Sequence, residues 1–337
     1  MPKSTKANAR LFETDSTPEE TPKRQHRGVN SLNDLDTREW LKSTKSVWYS
    51  DPSDLEPLPH LDEVTQFLRR EYGDKEAESI LGQLTNSIMV SRPGPRDPDK
   101  AEHPATFGEK DIQKLIEFFT KSGDTVLDPF LGSGSTLIAC SNANRNGVGI
   151  EVSPKWHKLA NQRLKNLPSL PFEPTNLKLD VKKGDARSVL KKMDDEGFSF
   201  IVTSPPYWSM LNKPADHKVK QERVAKGRAT RYSKSTKDIA NLESYETFLK
   251  ALTDVFQECV RVLKKGRYIA VVVSDFRDKD RFYLFHADIA RLLEEVGFRM
   301  SGITILAQDS KTLYPYGMPY AFVSNIHHQY IVIARRL

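Results

Sequence analysis

Apolar positions recur at helical spacing over residues 109–123, 154–167, 244–266 and 284–298. Between them run short strand-like segments at 125–130, 146–153, 177–186, 198–204 and 267–275. Helices that alternate with such segments predict an α/β protein with a mostly parallel sheet covered on both faces. Two further strand-like runs, 299–308 and 327–336, have no long helical pattern between them, so they predict an antiparallel hairpin at the C-terminal edge. Upstream, Leu32, Leu35, Trp40 and Leu41 fit a short helix that Asp36 or Thr37 could cap, and 60–73 and 76–89 read as further helices. A Pro-rich stretch, 92–104, separates these from the alternating region. The expected organisation is a disordered polar tail (1–28), a helical N-terminal extension (29–100) and a main domain (101–337). No internal repeat is visible.

Composition narrows the class. The chain has 337 residues, 38% hydrophobic and 28% charged. No apolar run reaches the roughly 18 residues of a membrane span, and the first residues lack the apolar core of a signal peptide. Cys140 and Cys259 both sit in apolar helical patterns and read as buried reduced thiols. An intracellular, cytoplasmic protein is expected. Net charge is +6. Residues 209–240 hold nine Lys and Arg against Asp216, Glu222 and Asp238, an excess equal to that of the whole chain. Such a segment suits a polyanionic partner; the plainer reading is a solvated loop.

Candidate chemistry lies at the ends of the strand-like segments. In TVLDPFLGSGSTLIA (125–139), Gly132 and Gly134 would let the backbone approach a ligand where a helix begins. The stretch lacks the lysine of a phosphate loop and the third glycine of the dinucleotide fingerprint. Asp128 stands where a cationic amino group would suit it, Glu151 where an acid can accept ribose hydroxyls, and Asp185 where it could hold an adenine amino group. Three carboxylates on successive strand ends fit S-adenosyl-L-methionine. No Cys/His spacing resembles a metal site, and neither cysteine follows a proline, which argues against a thiol nucleophile. His327 and His328 read as structural or rim residues.

DPFLGSGST, GIEVSP, GDAR and TSPPYW, in that order, closely resemble the DNA amino-methyltransferases, which modify exocyclic nitrogens of cytosine or adenine. HPATF (103–107) resembles the segment that completes their cofactor pocket. The resemblance implies a Rossmann-like methyltransferase fold. It also implies a cofactor site of His103, Thr106, Phe107, Asp128, Pro129, Phe130, Gly132, Gly134, Glu151, Asp185 and Ala186. Ser204, Pro205, Pro206 and Tyr207 form the implied catalytic corner: Ser204 Oγ and the Pro205 carbonyl accept the amine hydrogens, and Tyr207 offers a face to an extruded base. The Ser-Pro-Pro-Tyr form is associated with cytosine N4. Trp208, Lys226, Arg228, Arg231 and Lys234 are expected at the DNA. The alternatives are an adenine-N6 enzyme, a structured-RNA methyltransferase and a non-catalytic nucleic-acid binder. DNA is the expected partner, at the nucleoid in a prokaryote, with a restriction endonuclease and a homodimer as further candidates. No large separate target-recognition domain is visible, so sequence choice would fall to 209–240, to 29–100 or to a second subunit.

Overall fold

The structure, a computed structural model, describes residues 108–167, 177–211, 235–307 and 328–337, with isolated positions at 47–48, 66, 69–70, 73, 224–225, 233 and 326. The expected tail, most of the N-terminal extension, the segment 103–107 and most of the basic insert lie outside these residues. Positions 66, 69 and 70 fall in a helix, as the pattern predicts.

One eight-stranded sheet organises the described residues. In chain order its elements are β1 (Val47–Trp48), α1 (Glu109–Phe119), β2 (Thr125–Asp128), α2 (Ser135–Asn142), β3 (Asn146–Glu151), α3 (Pro154–Lys165), β4 (Leu179–Lys183), α4 (Ala186–Leu190) and β5 (Phe198–Thr203). Then come α5 (Tyr245–Val262), β6 (Leu263–Val273), a two-stranded ribbon of β7 (Phe276–Asp278) and β8 (Arg281–Tyr283), α6 (Phe285–Glu295), β9 (Phe298–Ala307) and β10 (His328–Arg336). The strand order is β1-β9-β10-β6-β5-β2-β3-β4. Strands β2 to β6 pair in parallel; β10 runs antiparallel to both β6 and β9. The C-terminal hairpin therefore closes one end of the sheet, with only the two-residue β1 beyond it. The ribbon β7–β8 has no counterpart in the sequence expectation, because its strands are three residues each.

Burial explains why the central strands carry apolar residues on both faces. Along β5, Phe200 and Val202 face a cluster built with Ile112, Leu115, Ile116 and Phe119 of α1. Ile201 faces the opposite cluster, built with Phe248, Leu252, Val255 and Phe256 of α5 and Phe285 and Ile289 of α6. Both faces of the sheet are thus covered by helices. Cys140 lies in the first cluster and Cys259 in the second. Both thiols are free and buried, and burial pushes both pKa values up. Ser244 and Thr247 form a reciprocal capping box that starts α5. The pattern placed Leu263 to Gly266 at the end of this helix; the structure instead starts β6 at Leu263, directly after Val262. Among the described residues no helix is long and apolar enough to cross a membrane.

Candidate active site

A cleft of about 840 Å³, counting the open solvent space at its mouth, lies where β2, β3, β4 and β5 end. The chain runs outward from β2 to β3 and β4, then returns to the other side of β2 with β5. Open α/β sheets bind ligands at such a reversal, outside the carboxyl ends of the strands. Pro129 to Ser133 and Ser135 form one wall, and Ile150 to Val152 with Gly184 to Ala186 form the base. Ser204 to Pro206 and the turn Lys237 to Ile239 form the facing wall.

The Gly-rich wall has local causes. Gly132 (φ 59°) and Gly134 (φ 90°) adopt left-handed backbone, which glycine tolerates best. A Cβ on Gly134 would come within 3.1 Å of the Ala160 side chain, so the residue also lets α2 and α3 approach. Arg163 of α3 supports the loop from behind, donating to the Ser133 carbonyl at 2.7 Å. Glu151, buried at the end of β3, fixes the front. Its Oε2 accepts the Gly132 amide at 2.8 Å and its Oε1 the Ser153 amide at 2.7 Å. Burial nevertheless pushes the Glu151 carboxyl up to about 8, with Asp238 and Asp128 adding to the rise. A carboxylate has about four acceptor positions, so Glu151 keeps capacity for ligand hydroxyls while it holds these amides.

Asp128 differs from expectation. It is fully buried and does not line the cleft. Its Oδ1 accepts from Thr203 Oγ1 at 2.6 Å and from the Phe130 amide at 3.0 Å; its Oδ2 accepts from Thr136 Oγ1 at 2.5 Å. Burial raises its pKa to about 6 against the pull of these bonds. Its geometry is that of a knot behind the Gly-rich wall. Gly134 likewise sits behind the cleft lining. Asp185 does line the cleft, caps α4 through the Arg187 amide at 2.9 Å, and pairs with the Arg187 guanidinium at 2.7 Å.

A fourth carboxylate emerges that the sequence reading left among the charges of the basic insert. Asp238 is 5% exposed and lines the cleft, and its Oδ1 caps the short turn Ile239–Asn241 through the Ala240 amide at 3.0 Å. Burial, with Asp185 nearby, raises its pKa. Three acids thus face one cleft.

The Pro-Pro corner follows the strand end as expected: β5 stops at Thr203, and Ser204, Pro205 and Pro206 line the cleft. Tyr207 does not line it. Its ring packs edge-on against Phe276 and Phe285, with centroids 6.4 and 6.0 Å away, and its hydroxyl accepts from Gln329 Nε2 at 3.3 Å. Trp208, expected at the DNA, is half-buried and packs on Tyr245 and Tyr283 instead. Its indole donates to the Leu242 carbonyl at 2.9 Å. Its φ of 37° is uncommon for a large side chain and is held by these contacts.

Of the expected residues, Pro129, Phe130, Gly132, Glu151, Asp185, Ala186, Ser204, Pro205 and Pro206 come together around the cleft. His103, Thr106, Phe107, Lys226, Arg228, Arg231 and Lys234 lie outside the described residues. Lys237, Asp238, Trp156, Thr203 and Gln329 belong to the site or its supports without having been singled out.

Known proteins resemble this chain in parts. It is 44% identical over 63 residues to the type II methyltransferase M.BglI of Bacillus subtilis, covering 19% of this chain and 18% of that one. It is 43% identical over 65 residues to the orphan methyltransferase M.BamHII of Bacillus amyloliquefaciens, covering 19% and 24%. The matched stretch therefore spans at most about a quarter of these relatives. Among solved structures, a SAM-dependent methyltransferase of Methanosarcina mazei aligns with a TM-score of 0.42 at 17% identity, covering 64% of this chain and 93% of that one. A DNA modification methylase of Thermus thermophilus, solved in complex with S-adenosyl-L-methionine and described as putative, aligns with a TM-score of 0.31 at 27% identity, covering 45% and 53%. The match to the DNA methylase family runs much further, over residues 3–162 and 198–334, and so takes in both walls of the cleft: the chain belongs to this family of N6/N4-type DNA methylases.

Proposed function

We propose that this chain transfers a methyl group from S-adenosyl-L-methionine to the exocyclic N4 of a cytosine extruded from DNA. One observation carries the reading: Ser204, Pro205 and Pro206 share a single cleft with Gly132, Glu151 and Asp185. The acidic lining suits the cofactor, which has an ammonium, two ribose hydroxyls and an adenine amine to offer. When bound there, S-adenosyl-L-methionine supplies an electrophilic methyl on a sulfonium.

The chain's own task is to prepare the amine. The lone pair of an exocyclic amine is delocalised into the base, so it attacks poorly until the nitrogen turns toward tetrahedral geometry. In this reading Ser204 Oγ and the Pro205 carbonyl accept its two hydrogens and aim the lone pair at the methyl carbon; as the N–C bond forms the methyl's bond to sulfur breaks, and the nitrogen releases one of its hydrogens as a proton to solvent. Two consecutive prolines keep those acceptors from reorganising, which favours the transition state over the ground state. The target's amine is paired in a duplex, so the base has to leave the stack first. The basic insert would hold the phosphates around it. Because M.BglI is named a type II methyltransferase, a restriction endonuclease as cellular counterpart is part of the same reading.

The same acceptors would serve adenine N6. The test is incubation with plasmid DNA and methyl-labelled cofactor, followed by digestion to nucleosides. N4-methylcytosine is the expected product; N6-methyladenine would move the assignment to the adenine class, and label in neither would overturn it.

A further inference from the structure

The turn opposite the Gly-rich wall is held in place by its own polar groups. Asn241 Nδ2 donates to the Ser233 and Ser235 carbonyls at 3.2 and 2.9 Å, and the Lys237 amide donates to Ser235 Oγ at 3.1 Å. The Asp238 amide donates to the Ser235 carbonyl at 3.2 Å. Ile239 is buried in the core cluster that α5 covers. Just past the turn, the Leu242 carbonyl accepts the Trp208 indole N–H at 2.9 Å, which ties the turn to the Pro-Pro corner. Ser204 to Pro206 and Lys237 to Ile239 are thus parts of one fixed wall.

The cofactor carries more charge than the site has so far matched. Its sulfur bears the adenosyl group, the methyl and a short aliphatic chain that ends in an ammonium and a carboxylate. In the reading above, Glu151 and Asp185 meet the adenosyl group, and the methyl is aimed at Ser204 and Pro205. Asp128, the acid expected at the ammonium, is fully buried behind the wall with Thr136 and Thr203 as donors. The amino-acid chain leaves the same sulfur as the methyl, so its charges fall near the wall that receives the methyl. Among the described residues that line the cleft, one acid remains, Asp238, and one cation is present, its chain neighbour Lys237. Asp238 is 5% exposed, and the Ala240 amide at 3.0 Å takes one of the about four acceptor positions of its carboxylate. Burial raises its pKa, so a cation arriving beside it favours the charged form. An acid and a cation side by side on a rigid turn suit the two charges of an amino acid.

We propose that the turn Lys237–Ile239 holds the amino-acid end of S-adenosyl-L-methionine: the Asp238 carboxylate accepts from its ammonium, and the Lys237 side chain donates to its carboxylate. The proposal rests on the identity of the cofactor and not on which base is methylated. It moves the role expected of Asp128 to the opposite wall of the cleft. It also gives Trp208 a task. Its bond to Leu242 keeps the turn in step with the corner, so the sulfur and Ser204 share one support.

Calorimetry with three ligands tests this: S-adenosylhomocysteine, its decarboxylated analogue, which keeps the amine, and methylthioadenosine, which lacks both charges. The parent should bind S-adenosylhomocysteine at least about tenfold more tightly than methylthioadenosine, the scale of one hydrogen bond to a charged group. Asp238→Asn keeps an oxygen for the Ala240 amide and should cost about tenfold with S-adenosylhomocysteine and with the decarboxylated analogue. Lys237→Met, at an exposed side chain, should cost a smaller factor, and with S-adenosylhomocysteine alone. Methylthioadenosine should bind the parent and both variants equally, with melting temperatures near the parent's, which separates ligand contact from a merely structural role. Equal affinity of the parent for S-adenosylhomocysteine and methylthioadenosine would overturn the proposal without any variant. Losses shared by all three ligands, or no loss with S-adenosylhomocysteine, would do the same. A parent that binds none of the three would overturn the cofactor itself, and that outcome is read before any variant is compared.

Discussion

The Thr203 hydroxyl donates to Asp128 Oδ1 at 2.6 Å, joining the last residue of β5 to the last residue of β2 across 75 positions of sequence. The Gly-rich wall leaves β2 at that point and the Pro-Pro corner leaves β5, so this buried bond adds to the parallel β2–β5 backbone pairing where the two walls of the cleft depart. Thr203→Val keeps the shape and deletes the donor. Asp128 retains the Phe130 amide and the Thr136 hydroxyl, so the cost should be about 1–3 kcal/mol, measured by urea unfolding at pH 7. At pH 5 the penalty should shrink, because the carboxyl is then largely protonated and has less need of donors.

The same carboxylate makes stability depend on pH. Its folded pKa is raised to about 6 from an ordinary value of 3.8, so between those pH values the folded chain binds more protons than the unfolded one. The contribution of Asp128 to stability is therefore present in full below pH 3.8 and is lost as pH rises toward 6. The loss should reach about 3 kcal/mol for a shift of this size. Unfolding free energies of parent and Asp128→Asn, taken from pH 4 to pH 7, should differ in slope over that window. Parallel curves would mean that Asp128 titrates as an ordinary carboxyl.

Glu151 titrates higher, at about 8, and faces the cleft. In the free protein at pH 7 it is mostly protonated. Ligand hydroxyls that donate to it favour the ionised form and lower its pKa, so binding should release up to about one proton. Calorimetry with S-adenosylhomocysteine in buffers of different ionisation enthalpy measures this directly, and affinity should rise as pH climbs toward 8. Glu151→Gln should abolish the buffer dependence.

Much of this architecture was visible in the pattern of residues, and the exceptions share a physical cause. Strands β2, β3 and β5 are mostly buried, so apolar residues occupy both of their faces, and the glycines and prolines that follow β2 and β5 mark the cleft. The side to which a terminal residue turns is another matter. Asp128 at a strand tip could equally face a ligand or the interior, and only its tertiary neighbours Thr136 and Thr203 decide. Asp238 stood inside a run of charges, and nothing local shows that residues 237–239 return to the cleft. Gln329 meets Tyr207 through the antiparallel insertion of β10 beside β6, a register that no local spacing encodes. Trp208 looked like an exposed ring beside a catalytic corner. The three-residue strands of the ribbon, too short to read, bring Tyr283 against it.

The basic insert should reveal itself through salt. Neutralising Lys226, Arg228 and Arg231 together should weaken DNA binding and reduce the slope of log affinity against log salt by up to about three, if all three meet phosphates. Transfer at saturating DNA should change less. A variant with the parent's affinity and slope would assign these charges to a solvated surface.

Ser204 supplies the most direct test of the chemistry. Ser204→Ala deletes one acceptor from the cleft and leaves the Pro205 carbonyl, the prolines and the Glu151 clamp on Gly132 in place. The amine turns toward the methyl donor only near the transition state, so the loss should fall on the chemical step. Single-turnover methylation should slow by about ten- to a hundredfold, while cofactor and DNA affinities stay near the parent's. A serine that merely shaped the turn would behave differently: its replacement would lower the melting temperature and weaken every activity in parallel. Parent-like single-turnover rates would show that Ser204 is not the amine's acceptor, and would leave the Pro205 carbonyl as the acceptor that orients the base.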